Sequence, residues 1–214
     1  MSAPFFHFSS SSSLSGGAYQ LSNLALSPFT HTWSSDACVP PFHRGRTCSY
    51  QTVEHAYQSL RAATLESAVR FETGGDITME LYKKWPVGKN VYERRMRHWN
   101  KKAPGIIAKE VSNLPRGALG LAMLPKKGSP SLSFEQQMLI WVPILTSKYL
   151  QNAAARKLLA STAPYTLVEW TRHKHENNYW NAYVVKGGEG EVPTLMGANV
   201  MGRLMQLVRE VALD

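Results

Sequence analysis

The chain has 214 residues, and 24 Lys and Arg against 15 Asp and Glu give it a formal net charge of +9. That length suits one sizeable domain, and an apolar share of 43% can supply its hydrophobic core. The charge favours anionic partners such as phosphates, nucleotides or nucleic acid. Membrane-spanning and secreted classes are not expected, because no apolar run approaches roughly 18 residues and the N-terminus lacks the features of a signal peptide.

The two cysteines and the paired histidines argue against a disulfide framework and a metal site. Cys38 and Cys48 lie in one loop-like region without metal-ligand spacing. We interpret them as reduced thiols of an intracellular protein, cytoplasmic or nuclear, with a disulfide across the short loop as the alternative. His173 and His175 lack a third ligand at usable spacing. Neither a metal nor another cofactor is therefore expected.

The N-terminal part of the chain predicts short extended pieces and loops. The prediction is a strand at 5–8, a strand or tight loop at 18–24, an extended piece at 26–29 and a loop insertion at 30–49. Ser22 and Asn23 are small hydrogen-bonding residues in the second of these pieces. They could bind a ligand hydroxyl, or they could simply satisfy the backbone of a turn.

A helix with two faces is predicted over residues 52–63. The apolar stripe at i, i+4 and i+7 consists of Val53, Tyr57 and Leu60, and the polar stripe at the same offsets consists of Glu54, Gln58 and Arg61. Thr52 can cap this helix, which places Glu54 in the first turn, where the helix dipole favours a carboxylate. A carboxylate beside His55 suits general acid/base chemistry. On these residues alone, a surface helix with a solvated polar face is the favoured interpretation.

The rest of the chain predicts mostly helices. They are expected at 66–71, 79–85, 103–111, 134–160 and 199–209, with a strand at 165–170 and a loop insertion at 115–131. The long helix should be interrupted or kinked at Pro143, and Asn199 is a natural N-cap for the last helix. Residues 83–102 interleave Lys and Arg with Trp and Tyr. This segment could contact nucleic acid, or it could be a solvated basic helix with its aromatic side chains turned inward.

Four patches stand in a specific order: Leu21-Ser22-Asn23, Tyr50 to Arg61, Leu167-Val168-Glu169 with Asn177 to Trp180, and Asn199 to Arg209. Together they resemble the NADAR family, named for NAD and ADP-ribose, which includes YbiA-like riboflavin-intermediate N-glycosidases. The family pattern is S-N-F, a T-x-E-H-x-(Y/F)-Q-A-x-K helix, L-V-E before D-x-Y-W-G, and a G-x-N-x-L-G-x-x-L-M-x-x-R helix. The resemblance extends from about residue 6 to 209 and is poor over 65–133.

The resemblance implies a fold and a reaction class. The fold is a single compact α+β domain over residues 1–214, predominantly helical, with a few short strands and one polar cleft. The implied activity is hydrolysis of N-glycosidic bonds to ribose-type sugars. The favoured substrate is ADP-ribose attached to guanine in nucleic acid or nucleotides. Phosphorylated riboflavin-biosynthesis intermediates are one alternative, and non-catalytic binding of ADP-ribose or NAD is another.

Matching the family motifs residue by residue implies the members of the cleft. Glu54 is the first candidate for the catalytic carboxylate, and Glu169 is a second acid. The implied substrate-binding residues are Ser22, Asn23, His55, Gln58, Arg61, Asn177, Tyr179, Trp180 and Asn199. The group that assists the leaving base could be Glu169, His55 or Glu176.

Three positions depart from the family pattern. Arg61 stands where the family usually has Lys, Asn177 where it usually has Asp, and Asn181 where it usually has Gly. Arginine stays protonated and is a poor nucleophile, so a mechanism that needs an amine at position 61 would require a substitute. Lys109 is the candidate for that amine.

Overall fold

The structure is a computed structural model that describes residues 5–8, 18–78, 81, 104–115, 117–124, 133–170, 179–185 and 193–211. Its helices are α1 (Val53–Leu60), α2 (Leu65–Val69), α3 (Gly105–Val111), α4 (Phe134–Gln151), α5 (Ala153–Ala160) and α6 (Val200–Val211). Its strands are β1 (Phe5–Phe8), β2 (Phe29–Thr32), β3 (Thr47–Tyr50), β4 (Thr166–Glu169), β5 (Tyr183–Val185) and β6 (Thr194–Met196). The predicted α+β class, predominantly helical with a few short strands, is confirmed.

The chain divides into two compact units. The central unit contains residues 23–152, and the terminal unit contains residues 1–22 together with 153–214. The expectation that residues 1–214 form a single domain stays a prediction.

In the central unit, β2 and β3 form an antiparallel hairpin with Phe29 opposite Tyr50 and Thr32 opposite Thr47. Side chains alternate between buried and exposed along both strands, as expected when one face of a sheet packs on a core. The predicted loop over 30–49 is therefore wrong at both ends. Each strand is only four residues long, so its alternation does not stand out beside the Pro- and Ser-rich segment that joins them.

The helices of the central unit pack around α1. This helix contacts α2, α3 and α4, and α4 also packs on β2. One cluster of buried apolar side chains consists of Phe71, Ile77, Ile107, Ala108, Val111 and Leu121. The predicted exposed insertion at 115–131 is corrected for its described residues, because Leu121 is buried in this cluster and Met123 forms a β-bridge with Ala62.

Helix α4 runs through Pro143 to Gln151, with Asn152 as its C-cap, so the predicted interruption at the proline is wrong. A capping box between Ser133 and Gln136 begins the helix. Asn152 leaves the helical conformation, with φ −120° and ψ 88°. Its side-chain Nδ2 donates to Lys148 O at 2.8 Å, which occupies one of the helix's last carbonyls. No helix in the described part of the chain, α4 included, has the length and apolar character to cross a bilayer.

In the terminal unit, β1 and β4 pair in parallel, with Phe5 opposite Thr166 and Phe8 opposite Glu169. Helix α6 packs on β4, and β5 and β6 form an antiparallel pair. The strands predicted at 5–8 and 165–170 and the helix predicted at 199–209 are confirmed. A strand at 18–24 is not found, because Ala18–Leu21 form a short 3₁₀ helix.

Several predicted features lie outside the described residues. They are the helix at 79–85 apart from Leu81, the basic segment at 83–102, and the polar turn that contains His173, His175, Glu176 and Asn177.

Candidate active site

The sequence around Thr52 fixes where α1 begins and which residues it buries. The Thr52 hydroxyl accepts a hydrogen bond from the backbone N–H of His55 at 3.2 Å, as predicted for an N-cap. Val53 and Leu60 are buried on the apolar side of the helix. Glu54 follows in the first turn, and Gln58 lies one turn later on the same side. The helix thus presents a carboxylate and an amide as neighbours.

The polar face of α1 is buried, so the interpretation of a solvated surface face is wrong. Only 4% of Glu54 and 2% of Gln58 are exposed. An ionised carboxylate in such a place has to be held by hydrogen bonds, because desolvation otherwise makes it unstable. The contacts of Glu54 therefore determine what this face can do.

Two amide side chains hold the Glu54 carboxylate. Asn23 Nδ2 donates to Oε2 at 2.6 Å, and Gln58 Nε2 donates to Oε1 at 2.6 Å. The backbone N–H of Glu54 in turn donates to Asn23 O at 3.0 Å, so Asn23 is bonded to Glu54 twice. Both carboxylate oxygens act as acceptors, as the ionised form requires. The sequence patches at 21–23 and 50–61 are brought together here.

Arg61 extends this arrangement beyond the end of α1. Its Nη1 donates to Gln58 Oε1 at 2.8 Å, and its Nη2 donates to Leu124 O at 3.1 Å. Its guanidinium carbon also lies 6.0 Å from the centroid of the Tyr57 ring, at the limit of a cation–π contact. We call Asn23, Glu54, Gln58 and Arg61 the Glu54 network.

His55 is buried within the fold beside this network. Its Nδ1 and the Thr52 hydroxyl lie 2.8 Å apart, and only 4% of the residue is exposed. Burial lowers the pKa of His55 to about 4, against a smaller opposing contribution from a hydrogen bond with the Ile77 backbone. The imidazole is therefore neutral near pH 7. Its predicted role toward substrate stays a prediction.

The terminal unit assembles a second group of predicted residues. Asn199 Oδ1 accepts from Glu169 N at 3.1 Å, and Asn199 Nδ2 donates to Leu167 O at 2.7 Å. The Asn199 side chain therefore binds β4 and does not form the predicted N-cap. Tyr179 and Trp180 pack edge to face with ring centroids 5.3 Å apart, and their carbonyls accept from the first N–H groups of α6. These contacts position Glu169 and the aromatic pair against the start of α6.

The remaining predicted residues are distributed differently. Ser22 is buried, and its backbone N–H donates to Tyr19 O at 3.0 Å in a turn. Lys109 is exposed on α3. Asn177 lies outside the described residues. The roles assigned to these residues stay predictions.

Lys148 is a buried amine that the sequence patterns did not single out. It is 0% exposed on α4, and its Nζ lies 5.0 Å from the centroid of the Tyr149 ring. Burial lowers the pKa of the Lys148 amine to about 7. The sequence signal for its burial was helical spacing. Lys148 lies four residues after Ile144 and three after Leu145, and both of these are buried on the same helix.

The described residues contain no group of three or more His, Cys, Asp or Glu that could hold a metal ion. Cys38 and Cys48 are both free thiols, and Cys48 is buried.

Comparisons with known proteins give one structural similarity. No family model matches the chain, and no curated protein matches it. Among solved structures, the chain is similar to the NMR structure of the E. coli protein YbiA. The identity is 21% and the TM-score 0.42, over 98% of this chain and 85% of that one.

Proposed function

We propose that this protein hydrolyses the N-glycosidic bond of a ribose-linked substrate, with Glu54 as the catalytic carboxylate. The observation that carries the proposal is a buried carboxylate whose two oxygens are each fixed by an amide donor at 2.6 Å. Ionisable groups whose pKa is perturbed, or whose burial costs free energy, cluster at functional sites. The order of the sequence motifs, which resembles that of N-glycosidases, supports this reaction class over others that use a carboxylate.

The chemistry needs an anion close to the anomeric carbon. As the bond between C1′ and the base nitrogen breaks, positive charge develops on the sugar in an oxocarbenium-like state, and a fixed carboxylate stabilises it. The same carboxylate can take a proton from the water that attacks C1′. The departing nitrogen receives a proton from a second acid, for which Glu169, His55 and Glu176 stay the candidates from the sequence. The products are the free base and the free sugar.

ADP-ribose attached to guanine is the substrate we favour. The net charge of +9 favours a substrate with phosphates and a nucleic-acid carrier over a small, weakly charged one. Arg61 is half-buried, and a guanidinium has five N–H donors, so donors beyond the two used for Gln58 and Leu124 can bind a phosphate. Phosphorylated riboflavin intermediates are the alternative substrate class, and ADP-ribose or NAD binding without turnover is the alternative function.

Turnover by matched variants tests the proposal. Wild type and Glu54→Gln are incubated with ADP-ribosylated guanine DNA and, separately, with the riboflavin intermediates, and the released base is measured. We expect Glu54→Gln to lower kcat by roughly 10²- to 10⁴-fold, because amide nitrogen cannot take the proton. Glu66→Gln, at an exposed carboxylate on α2, serves as the control and should keep its activity.

The outcomes separate the candidate functions. Near-normal turnover by folded Glu54→Gln contradicts the role of Glu54. Hydrolysis of only the riboflavin intermediates selects the alternative substrate class. No hydrolysis of either substrate, with ADP-ribose binding detected by calorimetry, selects the binding function.

A further inference from the structure

The geometry of the Glu54 network points to Arg61 as a positioning residue, which holds the Gln58 amide in the orientation that donates to Glu54; we propose this role on the basis of the proposed function. Arg61 contacts Glu54 through Gln58, so its effect on the carboxylate is indirect. The proposal explains an arginine at this position without requiring that it act as a nucleophile.

The side-chain amide of Gln58 can take two orientations. A glutamine side chain has one end that accepts hydrogen bonds and one that donates them, and rotation by 180° exchanges the two. Gln58 lies between Glu54 Oε1 at 2.6 Å and Arg61 Nη1 at 2.8 Å. A carboxylate only accepts and a guanidinium only donates. Both contacts are satisfied in one amide orientation alone, so Arg61 makes the other orientation costly.

Arg61 is itself fixed by contacts with the backbone of Leu124. Its Nη2 donates to Leu124 O at 3.1 Å, and the Leu124 N–H donates back to Arg61 O at 3.0 Å. Ala63 N also donates to Ala122 O at 2.8 Å, so residues 61–63 and 122–124 run as a short antiparallel pair. Leu121, which precedes residues 122–124, is buried and packs in the core cluster of the central unit. The guanidinium is thus held by backbone, not by a mobile side chain.

Lysine at position 61 would not reproduce both contacts of Arg61. Lysine could place one charged donor near Gln58 Oε1, but its point-like ammonium does not form the planar fork that binds Gln58 and Leu124 together. Arginine supplies both bonds from one rigid group. A lysine at position 61 would therefore orient the Gln58 amide less firmly than arginine does.

Kinetics of single and double variants tests the proposal. Arg61→Met should lower kcat roughly 10- to 100-fold, the range expected for a misplaced catalytic group, and any rise in KM beside it reports the phosphate contact of the proposed function. Arg61→Lys should recover part of the loss. Gln58→Met should resemble Arg61→Met, and the double variant should be no slower than either single one, because the two residues act in series. The exposed Arg156→Met on α5 serves as the charge-matched control.

A purely phosphate-binding Arg61 gives a different pattern. KM would then rise with kcat unchanged, and the effects of Arg61→Met and Gln58→Met would multiply. Either result overturns the positioning role. Thermal unfolding of each variant identifies any that loses activity because it does not fold. If Arg61→Met does not fold, the test relies on Arg61→Lys.

Side-chain amide NMR provides a readout that does not need activity. The ¹⁵N-bound proton pair of Gln58 is assigned by its loss in Gln58→Met. In wild type, the two protons should have well-separated shifts and exchange slowly with water, because Gln58 is 2% exposed and bonded at both ends. Arg61→Met should bring the chemical shifts of the two Gln58 protons together or speed their exchange with water, whereas Arg156→Met should change neither. An unchanged Gln58 signal in Arg61→Met overturns the positioning role, even if wild type proves inactive on every substrate and the proposed function fails.

Discussion

Replacing Lys148 by methionine should remove a strong pH dependence from the stability of the protein. Methionine has a similar length and no charge. The lysine amine has an ordinary pKa of 10.5 in the unfolded chain and, when buried in the folded protein, a pKa of about 7. Between these values the unfolded chain binds more protons than the folded one, so the free energy of unfolding rises with pH in this window.

The structure sets the size of the effect. The difference between 10.5 and about 7 corresponds to about 5 kcal/mol between pH values above and below the window. Over the accessible range from pH 7 to 9, wild type should gain about 2 kcal/mol relative to Lys148→Met. Below pH 7 both states carry the proton, so the difference between the two proteins should become constant.

Urea unfolding followed by tryptophan fluorescence at pH 6, 7, 8 and 9 measures this difference. The slope of the unfolding free energy with urea should agree between the two proteins, which shows that the comparison concerns stability alone. Lys157→Met, at an exposed lysine on α5, is the matched control, and its difference from wild type should stay constant. Parallel curves for wild type and Lys148→Met from pH 7 to 9 would show that the folded protein keeps the amine charged, and would refute the reasoning.

Two further predictions concern how the candidate site is supported. Gly202→Ala should destabilise the protein by roughly 1–3 kcal/mol in urea unfolding, because a Cβ there would lie 2.5 Å from the Asn199 side chain and closer still to Leu167 O; an unchanged midpoint would show that α6 can move away from β4. Thr52→Ala should cost about 1 kcal/mol, since the hydroxyl accepts from His55 N, whereas Thr52→Ser should keep most of that stability.

The elements that could be predicted from the sequence are those with strong local signals. Helix α1 has an N-cap and an i, i+4, i+7 stripe, and helix α6 has an apolar face, so both were placed within a few residues. The hairpin of β2 and β3 was missed because a four-residue strand shows only two alternations. The end of α4 was misplaced because Pro143 is a stronger local signal than Asn152, whose bonds to Pro28 O and Lys148 O come from tertiary structure.

The residues of the Glu54 network could be selected from the sequence, but their contacts could not. Spacing on α1 places Glu54 and Gln58 on one face, yet the same spacing describes a solvated face equally well. What distinguishes the two cases is Asn23, which is 31 residues away and donates to Glu54 Oε2. The role of Asn199 shows the reverse error: a residue with the right chemistry and position for an N-cap uses both side-chain polar atoms on β4.

The way Glu54 is buried supports the proposal that its carboxylate is the catalytic group. Removing a charge from water is costly, and apolar side chains of similar volume often stabilise a protein as well or better. Here the chain instead places two further polar side chains, Asn23 and Gln58, around the carboxylate and bonds Arg61 to the second of them. A fold that needed only packing at this face would not require four hydrogen-bonding side chains in series. A reaction that needs an oriented anion beside a developing positive charge gains from such fixed contacts, which is the physical reason for proposing that α1 carries the catalytic carboxylate.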